Sequence, residues 1–427
     1  MFKSCLKVAA ITLGAFSLIT LSACSSDEPA VPSTPPTYEK SDIRSVEDAC
    51  NIALSFLEAG NDISASRSAS AIENVKVGYG ATSRSGAADT LFYSVNLAND
   101  GGFVLVSAPT ATEPVLAYVE NGSYDPAQTT DNPGFNMFME KAKEYISISS
   151  IEPGSPGGPV PVKKPYTLVR NADPKLNVKW GVRYPESLYC ENGHSGCVQT
   201  AMAQILSYFE QPTAIALTYP GRDRDYVQLN WSDIKRHKVS CYNNSINSHL
   251  TTCEATEEIH KVIAYLCREL GHRNNADYSK SITYASTHNA NNLLKNLLPN
   301  KKITNYTSFD DSQYNELISK LVTDKALALF RGDDALNNGH AWVCEGGRYY
   351  EHHTEIYFAN GEEDVRKTYY FYFNWGDNGN QNGYFLGDVY NPYSCLKKED
   401  LPPYKNQLIP LSRAEGYAYN VYYYMIY

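Results

Sequence analysis

Apolar positions along this chain follow two periods, and the change from one to the other marks its elements. Behind Ser45, with Asp48 three residues on, Val46, Ala49, Ala53, Phe56 and Leu57 recur at helical spacing and predict a helix opened by a capping box. Short apolar runs at residues 91–95, 103–106 and 115–119 then read as strands, the first two joined across Asn99-Asp100-Gly101-Gly102. Pro153, Pro156, Pro159 and Pro161, with three glycines between them, support neither helix nor ladder, so residues 151–165 predict an exposed linker carrying Lys163-Lys164. Beyond a loop containing Trp180, helical spacing returns in Val198, Ala201, Met202, Ile205 and Phe209, and again in Ile259, Val262, Ile263, Leu266 and Leu270. Further helices are predicted at 288–298 and 312–322, then strands at 326–330, 341–344, 355–358, 368–374 and 384–385. Helices first and antiparallel strands later describe an α+β domain at 166–427, behind a smaller α+β domain at 41–150. No internal repeat is present.

Composition agrees with two globular domains: 427 residues, 43% hydrophobic and 20% charged, supply enough apolar material for two cores. With 37 Lys plus Arg against 47 Asp plus Glu the net charge is -10, which excludes a nucleic-acid partner, since phosphate binding needs clustered positive charge. The 34 tyrosines beside 14 phenylalanines point to wet surfaces, clefts and interfaces. At the start, Lys3 and Lys7 precede an apolar stretch at 8–21 too short for a membrane span, so residues 1–23 predict an export signal. Leu21-Ser22-Ala23-Cys24 resembles a bacterial lipobox, which implies that Cys24 is lipidated and holds the exported chain to a membrane. The competing reading is an ordinary secretory signal. Ser25-Ser26-Asp27-Glu28 resembles a surface-export signal, and the prolines from Pro29 to Pro36 make 24–40 an extended tether. No other segment is apolar enough to span a membrane.

Cys50, Cys190, Cys197, Cys241, Cys253, Cys267, Cys344 and Cys395 remain to be sorted. Cys241 with Cys253 would close a short loop, though connectivity does not follow from sequence. No C-x-x-C pair and no Cys/His cluster at zinc spacing exists, so no metal and no cofactor is expected; His352-His353 point to opposite faces of a strand. Cys197 differs from the rest: the Gly/Ser/Asn-rich loop 192–196 runs straight into a helix and leaves it at the amino end. There unpaired N–H groups and the helix dipole favour a nucleophilic thiolate, and the same donors can form half of an oxyanion hole. A buried cysteine acting as a small hydrophobe is the plain alternative. Of the nine histidines, His194 shares the loop with Cys197 and reads as a rim residue. His340, in Asn337-Asn338-Gly339-His340-Ala341-Trp342-Val343, stands where a loop enters a strand, with Gly339 allowing close approach of substrate. Downstream, Phe373-Asn374-Trp375-Gly376 ends a strand in groups able to orient and shield an imidazole, and the order Cys, His, Asn-Trp is that of papain-like peptidases.

Gly196-Cys197 with Thr200-Ala201-Met202-Ala203-Gln204, Gly339-His340-Ala341-Trp342-Val343 and Asn374-Trp375-Gly376 resemble the streptopain family of bacterial cysteine peptidases, as do Lys179-Trp180-Gly181 and Asn275-Ala276-Asp277-Tyr278-Ser279. The segments 102–108 and 113–118 are similar to the propeptide and inhibitor domain paired with it. The resemblance implies a papain-like fold, synthesis as a zymogen, removal of the first domain, protein or peptide substrates, Cys197 as nucleophile, His340 as proton acceptor and donor, and Gly339 at the substrate backbone. Asn374 and Trp375 are expected to orient and shield His340. One departure stands out: the family continues Asn-Trp-Gly-Trp-Gly-Gly, whereas here Asp377-Asn378-Gly379 follows Gly376. It motivates a rival reading, a surface binding or inhibitory lipoprotein whose catalytic domain has decayed; a third reading is a Cys/His transferase or amidase on a related fold.

Overall fold

The computed structural model describes residues 43–62, 71–82, 88–149, 166–239, 242–243, 248–249, 255–333, 339–357, 363–391 and 421–427. The expected signal, Cys24, the tether, the linker 151–165, Asn337-Asn338, Cys241, Cys253 and Cys395 lie outside the described residues.

Helix α1 (Val46–Ala59) starts as its sequence predicts. The Ser45 hydroxyl accepts from the Asp48 N–H, the Asp48 carboxylate accepts from the Ser45 N–H, and Ala49, Ala53, Phe56 and Leu57 face inward. Strands β1 (Ile72–Thr82), β2 (Ala88–Leu97), β3 (Phe103–Ser107) and β4 (Val115–Val119) form an antiparallel meander. A second helix, α2 (Pro133–Ser149), follows where the apolar pattern predicts none. Asn132 caps it by accepting from the Phe135 N–H at 3.0 Å, and Pro133 begins it without a donor to leave unpaired.

The C-terminal part opens with β5 (Thr167–Ala172) and continues through α3 (Cys197–Phe209), the hairpin β6 (Ala214–Ala216) and β7 (Tyr226–Gln228), and α4 (Trp231–Ile234). The short pair β8 (Tyr242–Asn243) and β9 (Ser248–His249) precedes α5 (Glu257–Arg273), α6 (Thr287–Leu297), β10 (Thr307–Ser308) and α7 (Asp311–Thr323). Last come β11 (Leu327–Asp333), β12 (Gly339–Tyr357), β13 (Glu363–Asn374), β14 (Gly383–Leu386) and β15 (Tyr422–Ile426). The two strands expected at 341–344 and 355–358 are one, β12. Gly346-Gly347 reads as a break but serves a crossing: a Cβ on Gly346 would come within 2.6 Å of the Ala172 carbonyl oxygen, so its absence lets β5 lie close against β12.

One eleven-stranded sheet runs through both parts in the order β1-β2-β3-β4-β14-β13-β12-β11-β15-β10, with β5 branching from β12. The join is β4 against β14, where Val119, Tyr118 and Ala117 face Gly383, Tyr384 and Phe385. Two cores result. The larger takes in Phe56, Val104, Phe135 and Phe138 from the N-terminal part with Phe330, Phe373 and Phe385 from the C-terminal part; the smaller packs α3, α5 and α6 on the other side of the sheet. Tyrosines stitch the parts together. Tyr370 donates to the Val115 carbonyl at 2.8 Å, Tyr372 to Glu120 at 2.7 Å and Tyr166 to Glu113 at 2.7 Å, so each ring fills apolar core while its hydroxyl satisfies a group of the N-terminal part. The same join carries a charged pair: Arg348 on β12, nearly enclosed, binds both oxygens of Asp62 at 2.6 and 2.8 Å and stacks on Tyr384.

Candidate active site

Cys197 is the first residue of α3, and the loop before it is built to put it there. Gly196 has φ 97°, a conformation open to glycine, and a Cβ there would press within 3.1 Å of Thr283. Asn192 donates to Thr283 and to the Lys280 carbonyl, while the Thr283 hydroxyl donates to the His194 carbonyl, so the loop is tied at both ends. Thr200, in the first turn of α3, donates to the Gly181 carbonyl at 3.1 Å and anchors the helix against the Trp180 loop. The inward stripe is buried as predicted except at Phe209, which is half-buried.

The sequence predicts that this helix end favours a thiolate; in the uncut chain, burial works against it. Burial pushes the Cys197 thiol up, against the backbone N–H groups of Ala341, Val198 and Cys197 itself and the charge of Arg331, which pull it down. The uncharged form prevails while the cleft is covered. Alkylation of Cys197 by iodoacetamide is therefore expected to be slow near neutral pH in the uncut chain, rising only into the alkaline range, and to speed up once the N-terminal part leaves and the sulfur is rehydrated. Equal neutral-pH rates for cut and uncut chains would contradict this.

His340, the second residue of β12, is 8% exposed. Its Nε2 lies 2.8 Å from the carbonyl oxygen of Trp375. A carbonyl can only accept, so Nε2 carries the hydrogen and Nδ1 is left as the basic nitrogen. Burial lowers the imidazole to about 4, with the Trp375 bond opposing, so the ring is neutral; it stacks on Trp342 at 6.0 Å. No hydrogen bond joins it to Cys197 in this structure.

Asn374 does not touch the imidazole, contrary to the expectation that its side chain orients His340. Its Nδ2 donates to the Val178 carbonyl at 3.3 Å and to Gln204 Oε1 at 3.1 Å, and its Oδ1 accepts from the Gly376 N–H at 3.2 Å. Gln204 also accepts from the Trp180 N–H, so Asn374 locks the end of β13 to α3 and thereby sets where the Trp375 carbonyl points. Orientation comes from the backbone of Trp375, and shielding from its indole, which packs on Trp342, Phe373 and Phe385 with centroids 5.2, 5.2 and 4.9 Å away.

Cys197, Gly339 and His340 line one cleft of about 430 Å³, with Gly376, Asp377 and Asn378 on one flank and Arg183, His194 and Thr283 on the other. A larger cleft of about 630 Å³, walled by Arg224, Tyr226 and Glu258, holds neither cysteine nor histidine and is not the reactive one. Asp131, Pro133 and Met137 of the N-terminal part also line the reactive cleft, a role the sequence reading missed. Gly134, in the first turn of α2, sits close against the site: a Cβ on it would collide with the Trp375 ring and come within 2.9 Å of His340 Cδ2. Asn132 Nδ2 fastens this end of α2 to the Asn380 carbonyl at 2.8 Å. The signal, in retrospect, is a glycine inside a helix whose neighbours Phe135, Met137 and Phe138 are apolar. Gly134→Val should force α2 off the cleft at a cost of about 1–3 kcal/mol, the range for overpacking. The inhibition constant of the cut N-terminal part is then expected to rise roughly tenfold to a hundredfold. An unchanged constant would mean that α2 does not seat on His340.

A thiol, a fixed imidazole with a free basic nitrogen and backbone donors at a helix end together suit acyl transfer. Residues 177–385 match the Peptidase C10 family, and residues 41–146 match the Spi protease inhibitor family. Streptopain of Streptococcus pyogenes is 25% identical over 376 residues, spanning 82% of this chain and 86% of that protein. Thiol protease/hemagglutinin PrtT of Porphyromonas gingivalis is 24% identical over 332 residues, 72% of this chain but 35% of that protein. The solved structure of a prointerpain A fragment from Prevotella intermedia superposes with a TM-score of 0.51 at 19% identity, covering 83% of this chain and 98% of the fragment. That likeness is one of fold: an α+β papain-like catalytic part preceded by a smaller domain.

Proposed function

Because this chain belongs to the Peptidase C10 family of cysteine peptidases and carries an inhibitor domain of the Spi type ahead of its catalytic part, we propose that it is an endopeptidase zymogen working through Cys197 and His340. With α2 out of the cleft, Nδ1 of His340 takes the Cys197 proton and the sulfur attacks a peptide carbonyl, whose developing oxyanion meets the N–H of Cys197. The imidazolium protonates the leaving amine, and the thioester is hydrolysed by a water that His340 deprotonates. The observation that carries this reading is that Cys197, at the amino end of α3, opens into the same cleft as His340, whose Nε2 is held by the Trp375 carbonyl. Substrates are extended polypeptides, and the first partner is the chain's own N-terminal domain.

The pattern at Leu21-Ser22-Ala23-Cys24 supports export and a lipid anchor on Cys24, which would leave the peptidase tethered to a bacterial membrane by the segment 24–40. Among the described residues no helix is long and apolar enough to cross a membrane. The rival readings gain no support from the cleft, where the thiol, the imidazole and the residues fixing them are all present. Intact-mass measurement of the purified chain over time tests the proposal. Shortening at 151–165 that fails in Cys197→Ala is the expected result; equal shortening in both would overturn it.

A further inference from the structure

The N–H of Cys197 gives an oxyanion one donor, and a second must come from elsewhere in the cleft. We propose that it is the side-chain amide of Asn378, in the loop between β13 and β14. This rests on the Cys197–His340 reading and deepens it. Asn378 lines the reactive cleft with Cys197, Gly339 and His340. It has φ 57°, between Gly376 at φ 73° and Gly379 at φ 83°, a left-handed turn that asparagine tolerates far better than most side chains.

The turn is fastened on every side. Gly376 N–H donates to Asn374 Oδ1, Trp375 N–H donates to Asn382 Oδ1 at 3.1 Å, and Asn380 donates through its backbone N–H and its Nδ2 to Asp377 at 2.9 and 3.2 Å. Asn378 is thus held on the same strand end that sets His340. Its Oδ1 is buried and has no hydrogen-bond partner, and its Nδ2 donates to no described residue. An amide left idle on the reactive cleft has its use in the bound state.

What holds it there is Gly181. A Cβ at that position would come within 2.6 Å of Asn378 Oδ1 and 3.3 Å of Nδ2, so the amide occupies the space a side chain would need. Gly181 is itself bonded through its carbonyl to Thr200 in the first turn of α3. The amide therefore rests on backbone tied to the helix end that bears Cys197, with its oxygen turned to Gly181 and its nitrogen free. Other side chains that could donate share the cleft, but Arg183 is drawn to the Gly193 carbonyl at 3.2 Å, the Thr283 hydroxyl is spent on the His194 carbonyl, Tyr284 stands 39% exposed under the Lys280 ammonium, and His194, kept neutral by burial at about 4, has its Nδ1 enclosed.

The test compares two reactions of the matured enzyme: hydrolysis of a peptide substrate, which passes through an oxyanion, and alkylation of Cys197 by iodoacetamide, which does not. Asn378→Ala is expected to lower kcat roughly 10²- to 10³-fold, with KM changed less than about threefold and alkylation at the wild-type rate. Affinity for a peptide aldehyde should fall in proportion to kcat. Gly181→Ala, which displaces the amide without removing it, should give the same split with a smaller loss, and serves if Asn378→Ala does not fold. A kcat within about threefold of wild type, or alkylation falling as far as kcat, overturns the assignment, as does a comparable split in His194→Ala. Failure of the wild-type matured enzyme to be alkylated at Cys197 would instead strike at the nucleophile itself.

Discussion

Replacing Cys197 with Ala is expected to cut hydrolysis of a casein-like substrate by the matured enzyme roughly 10⁴- to 10⁶-fold, the range over which removal of a catalytic nucleophile acts. The loss is chemical. Cys197 is only partly buried, at the margin of the smaller core, and α3 is anchored chiefly by the buried Val198, Ala201, Met202 and Ile205. The variant should therefore melt within a few degrees of the wild type and still bind a peptide substrate. Steady-state kinetics with a melting curve on the same preparation check both halves. A loss of less than about a hundredfold would mean that another group supplies the nucleophile.

The second large effect is expected at the join between the two parts. Asp62→Ala removes the carboxylate that binds Arg348 through both guanidinium nitrogens, and Arg348, 4% exposed, has no water to turn to. Breaking a buried pair from one side costs about 3–5 kcal/mol, because the remaining charge stays enclosed. At about 1.4 kcal/mol per decade, the dissociation constant of the cut N-terminal part from the catalytic part should rise roughly 10²- to 10³-fold or more. The kcat of the matured enzyme should not change, since Asp62 leaves with the N-terminal part. Titration of the matured enzyme with each cut N-terminal part reads the effect as inhibition. A shift below about fivefold would show that Arg348 finds another partner once Asp62 is gone.

How much of this was legible depended on how local the cause was. The start of α1 could be read because Ser45 and Asp48 bond to each other's backbone within one turn. The amino end of α3, and with it Cys197, could be read because the Gly196 turn and the apolar stripe adjoin it in sequence. The length of β12 could not, since what Gly346 accommodates is the distant Ala172 carbonyl. Nor could the source of His340 orientation, because a backbone carbonyl leaves no mark in a sequence, whereas Asn374 beside it looks like the natural candidate. The opposition to a thiolate leaves no local mark either: the dipole and donors at Cys197 adjoin it in sequence, whereas α2, which helps cover the cleft, arrives from far upstream. The tyrosines were half legible. Tyr349 and Tyr369 pair across β12 and β13 with centroids 4.8 Å apart. Tyr370 and Tyr372, however, do not line the cleft of Cys197 and His340; they bond the N-terminal part.

One cysteine, covered in the uncut chain by its own N-terminal domain, is expected to become the nucleophile when that domain is released. This is tested most directly by treating the chain with a peptidyl epoxide at intervals during maturation, then taking intact masses and mapping the labelled peptide. A single adduct on Cys197, confined to molecules cut within 151–165, is the predicted result. Adducts on Cys50, Cys190, Cys267 or Cys344, or equal labelling of Cys197 in cut and uncut chains, would contradict it.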